Sequence, residues 1–109
     1  MKGVIVIITL SEVKEWLRID SEDDDTLLES LINTSKVIIK SATGIKKDFI
    51  LDDTNKEPDF EELKHMYVMV QRILITDLYN EKSVENKALT SLYTQLELEY
   101  RRFINAQSG

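Results

Sequence analysis

The stretch from Asp24 to Gly44 limits the possible folds more than any other part of the chain. Leu27, Leu28, Leu31, Ile32, Ser35, Ile38, Ile39 and Ala42 recur at steps of three and four, which puts them on one helical face. Carboxylates crowd the front of the stretch, where they complement the positive end of a helix. Gly44 stands just past its end, free to take the left-handed conformation that stops one. A helix with one apolar face has to bury that face against something.

Candidates to cover it lie further along. Pro58-Asp59 opens a second long helix that runs to Asn80, with Phe60, Leu63, Tyr67, Val70, Leu74 and Leu78 in one stripe. Met66, Met69 and Ile73 flank the stripe, while Val68, Ile75 and Tyr79 fall on a different side. A helix apolar nearly all round is either central in its own domain or covered by another chain. From Ala88 a last helix carries Leu89, Leu92, Tyr93, Leu96, Tyr100, Phe103 and Ile104 at helical steps. Residues 105–109 are expected to fray.

The chain's start is different. Val4–Ile8 is β-branched throughout and prefers an extended conformation. It is too short for a signal peptide's apolar core, and no stretch approaches the roughly 20 apolar residues of a membrane span. Residues 1–8 therefore read as an extended arm, packed on the domain or pairing with a neighbouring subunit. Thr9-Leu10-Ser11-Glu12 follows as a capping box that starts a short helix with Val13, Trp16 and Leu17 on one side. Trp16 reads as a core anchor.

Between this helix and the long one, residues 20–25 hold five carboxylates in six positions. A calcium loop would need glycine at its sixth position and glutamate at its twelfth. Counted from Asp20, those positions hold Asp25 and Leu31, so the acids read as a helix start, where an Asp or Ser side chain caps and further acids favour the dipole, and no metal site is expected. Residues 45–58 lose helical periodicity and contain the only proline. They read as a loop, tacked down by Phe49, Ile50 and Leu51, with Asp52 and Asp53 in its polar half.

Composition removes whole classes of function. The 109-residue chain has no cysteine, which excludes disulfides and thiolate metal sites. Its net charge of −6 argues against a broad nucleic-acid grip. Arg101-Arg102 is the only adjacent arginine pair, and no helix shows the basic face of a recognition helix. His65 is the sole histidine and has no catalytic partner at a recognised spacing. Neither a phosphate loop nor a nucleophile elbow is present, so neither an enzyme nor a cofactor is expected.

The reading from residues alone is a single all-α domain over 1–109. It is a small bundle of two antiparallel long helices, Asp24–Thr43 and Asp59–Asn80, completed by a short N-terminal helix and a C-terminal helix. Such a bundle also suits a small regulator or adaptor acting as monomer or dimer.

A sharper expectation comes from likeness. Thr9–Asp20, the acids after it, Leu27-Leu28-Glu29-Ser30-Leu31-Ile32 and Ala42-Thr43-Gly44 together resemble the opening of the phage head–tail connector proteins. That resemblance implies a structural protein of a tailed phage or prophage, forming a ring of about a dozen copies with itself. Its partners would be the portal protein and tail-completion proteins, with DNA passing through the ring unrecognised. It would lie at the head–tail junction of the virion, and in the bacterial host cytoplasm before assembly. Candidate contacts with other subunits or partners are Val4, Ile5, Val6, Ile7, Asp52, Asp53, Val68, Ile75, Tyr79, Arg101 and Arg102.

Overall fold

The computed structural model describes residues 8–46, 49, 58–80 and 87–108, the side chains of 107 and 108 excepted. Among these are four helices and no strand: α1 (Leu10–Leu17), α2 (Asp25–Thr43), α3 (Pro58–Tyr79) and α4 (Lys87–Ser108). The second long helix packs against α4 and α2, α2 also touches α4, and α1 lies on α2. Tyr79 bonds Asp24 while Gln71 bonds Ser35, so residue numbers rise along α3 as they fall along α2. Opposed helices give this order.

Local chemistry sets the ends of α1 and α2. Thr9 accepts from the Glu12 amide at 3.2 Å, and the Thr9 amide donates back to Oε1 of Glu12 at 3.0 Å, which completes the capping box. At the other end of α1, Arg18 takes a left-handed conformation with φ 60°. The Ile19 amide donates to Lys14 O at 2.9 Å and the Arg18 amide to Glu15 O at 3.2 Å, the two bonds of a Schellman stop. For α2 the stop is Gly44, with φ 85° and its amide 2.8 Å from Lys40 O. Thr43 Oγ1 bridges the same turn, donating to Ile39 O and accepting from the Ile45 amide.

The core forms two clusters. Ile39, Ile45, Phe60, Leu63, Tyr67, Val70, Leu74, Leu89, Leu96 and Phe103 make the larger one. Phe49, from the region read as a loop, is tacked to it as expected, edge-on to Phe60, Tyr100 and Phe103 at 5.0–5.9 Å between ring centroids. Such edge-to-face contacts add about 0.5–1.5 kcal/mol each beyond burial. Ile8, Val13, Leu28, Ile32 and Ile75 make the smaller cluster, with Trp16, Val68 and Tyr79 packed against it.

Three expectations need correction. Leu27 is 48% exposed and Ala42 is exposed, because the buried line of α2 runs through Leu28, Ile32, Ser35, Ile39 and Thr43. Leu27 and Ala42 lie beyond its edges, where none of the described helices covers them. Asp24 holds the N-cap position of α2 but makes no side-chain cap bond, since its carboxylate accepts from Tyr79 instead. The last helix continues through Asn105 and Ala106 to Ser108, where fraying from residue 105 was expected, because i,i+4 bonding carries on past the last buried side chain, Phe103.

Candidate functional site

The corner between α1 and α2 gathers the acidic linker. Lys14 Nζ is 2.7 Å from Asp25 Oδ1, with both side chains partly buried, and this pair ties α1 to the start of α2. Asp24 is held by the Tyr79 hydroxyl at 3.0 Å. That bond, followed by desolvation and the carboxylate's charge, raises the Tyr79 pKa. With Asp24 and Asp25 engaged, Asp20, Glu22 and Asp23 are the exposed acids of the linker. Among the described residues no group of three or more His, Cys, Asp or Glu side chains is arranged to hold a metal ion.

Trp16 sits beside this corner, half-buried, with the Arg72 guanidinium 4.9 Å from its ring centroid. Its indole Nε1 is buried without a hydrogen-bond partner. The residue is a core anchor, as its sequence setting suggests, and also a cation–π platform for an exposed arginine.

The expected contact residues fall into three groups. Ile75 is fully buried, and Val68 and Tyr79 are partly buried against the same small cluster. The second apolar side of α3 is therefore covered within the chain by α1, α2 and Ile8, which places this helix centrally. Arg101 and Arg102 are exposed, and each is paired along its own helix, with Glu97 at 2.7 Å and Glu99 at 2.9 Å. These pairs cancel the positive charge locally. Val4, Ile5, Val6, Ile7, Asp52 and Asp53 lie outside the described residues, as do Ile50 and Leu51.

Gln71 and Lys64, which the sequence did not flag, are buried, as is Ser35 on the apolar face of α2. Gln71 Nε2 donates to Ser35 Oγ at 2.9 Å, and Ser35 Oγ donates to Ile32 O at 2.7 Å, so a small polar chain crosses the α2–α3 contact. Lys64 is 3% exposed; its ammonium lies 4.9 Å from the Phe60 ring centroid and 3.5 Å from Glu61 Oε2. The long alkyl stem allows this, since it buries with the core while the charge reaches an acid. His65, its neighbour, is exposed.

An open groove of about 550 Å³ runs between the start of α3 and the end of α4. Leu63, Met66, Phe103 and Ala106 form its apolar floor, and Asp59 and Glu62 stand on one wall. The Arg102–Glu99 pair closes the other. Elsewhere Val37 and Leu98 are 63% and 50% exposed on α2 and α4.

Charges paired along helices and polar groups spent on caps and helix contacts describe a helical bundle held by its own packing. The family model for phage gp6-like head-tail connector proteins matches residues 7–106, and the chain belongs to that family. Neither the curated proteins nor the solved structures give a match. The family is structural, and membership makes the chain a phage virion component that associates with other phage structural proteins. Among the described residues no helix is long and apolar enough to cross a membrane.

Proposed function

We propose that the chain completes the phage head as a ring between the portal and the tail. About a dozen copies, as the resemblance implies, bury apolar area against one another and against the portal, and no reaction is catalysed. The observation that carries this reading is the family match over residues 7–106 of a 109-residue chain. The exposed Asp20, Glu22 and Asp23 extend it. Turned toward the lumen, they repel a phosphate backbone and let DNA pass without sticking.

Light scattering across a concentration series, with electron microscopy of any large species, tests the ring. A closed ring, free or formed on added portal protein, supports the reading. A dimer that persists on dilution and ignores the portal overturns it in favour of an adaptor module. For the lumen, reversing the charge at Asp20, Glu22 and Asp23 is expected to make rings retain DNA at low salt; unchanged retention removes that part.

A further inference from the structure

The groove between α3 and α4 has an apolar floor beside two acids, and the chain carries a segment whose chemistry fits it. We propose that the arm before Ile8 of one copy docks in the α3–α4 groove of the next copy. This inference rests on the ring reading above and names the contact that would link its subunits. Val4–Ile7 matches the apolar floor of Leu63, Met66, Phe103 and Ala106, and Lys2 matches the acids on the wall. Glu99 is already taken by Arg102 at 2.9 Å, whereas Asp59 and Glu62 have no ion pair among the described residues.

Geometry selects the neighbour's groove over the chain's own. Ile8 is buried in the small cluster with Ile75. Met66 precedes Ile75 by nine residues, or about two and a half turns, so the groove opens on the opposite side of α3 from the point where the arm departs. Leu63 is also about 18 Å further along the axis. Val4, the apolar arm residue farthest from Ile8, is four residues away and so at most about 14 Å from it, short of that rise even before the arm passes round a helix about 10 Å wide. An arm that cannot reach its own groove but fits an identical one makes a head-to-tail contact, the kind that forms a ring when the rotation between copies closes.

The absence of cysteine makes disulfide trapping clean. Two differently tagged full-length chains, one carrying Val6→Cys and the other Ala106→Cys, are mixed under mild oxidation with and without portal protein. Ser30→Cys on the exposed side of α2 replaces Ala106→Cys in the control. A covalent pair forming at least several-fold faster with Ala106→Cys than with Ser30→Cys is the expected result. Glu62→Lys should reduce that yield and Lys2→Glu in the partner should restore it. Rings without the cross-link overturn the arm contact and leave the ring intact. A cross-link found only within a doubly substituted chain also overturns it, by placing the arm in its own groove. Failure to form either oligomer or cross-link, even with the portal, overturns both.

Discussion

The Tyr79 hydroxyl donates to Asp24 Oδ2 at 3.0 Å, joining the last turn of α3 to the first of α2 across 55 residues of sequence. Asp24 thereby gives up its capping bond for a tertiary one. Tyr79→Phe is expected to lower the thermal midpoint and to speed amide exchange at the start of α2. A midpoint equal to that of the unsubstituted protein would show that the bond adds nothing net.

Tyr67 carries a buried hydroxyl without a hydrogen-bond partner, and burial pushes its pKa from 10.0 to about 12. Tyr79 is raised as well, first by its bond to Asp24, and Tyr93 by burial and then by the charge of Asp77. Raised values favour the protonated, folded form below the ordinary tyrosine pKa, and that stability is lost as pH rises through the folded values. The denaturant midpoint should hold to about pH 9 and then fall steadily to about pH 12. At neutral pH, Tyr67→Phe should be neutral or stabilising by up to about 1 kcal/mol, since it removes an unpaired polar atom. A loss above about 2 kcal/mol by chemical denaturation would contradict this.

Left-handed residues end both α1 and α2, and their substitutions should act in opposite directions. Gly44 has nothing within 4 Å of an added Cβ, so Gly44→Ala should cost only the backbone penalty, about 1 kcal/mol. Arg18→Gly relieves the same penalty at φ 60° and should gain up to about 1 kcal/mol, offset in part by the freer unfolded chain. Paired urea titrations give both signs.

The Ser35–Gln71 contact should show coupling. Ser35→Ala strands a buried amide and is expected to cost about 1–3 kcal/mol, whereas Ser35→Ala with Gln71→Leu should cost less than the two single changes together. Strict additivity in the double-mutant cycle would mean that the bond is energetically idle.

Arg101→Ala and Arg102→Ala each break an exposed pair within α4 and should change stability by less than about 0.5 kcal/mol. Any larger effect on oligomer mass than on folding would then locate a subunit contact at these arginines.

Features written in short-range chemistry were legible in advance. Thr9 with Glu12, Gly44 and Pro58 each act within one turn, so their roles could be read from spacing alone. Gln71 and Lys64 were not legible, because a polar residue on a helix reads as solvated until a partner from elsewhere in the chain covers it. Ile75 shows the same limit from the apolar side. Periodicity marks a second face on α3, but only the fold shows that Val13, Leu28 and Ile8 fill it. The candidate contacts were thus partly absorbed into the core, while the groove went unseen, since it is formed by two helices whose register no local pattern records.

The division of the core into two clusters has a mechanical consequence. Tension entering the chain ahead of Ile8 reaches the five-residue cluster first, and the ten-residue cluster only through α2 and α3. Resistance to rupture scales with the apolar area held together. Under such a load α1, held by the smaller cluster, is expected to come away from α2 before α2, α3 and α4 part from one another.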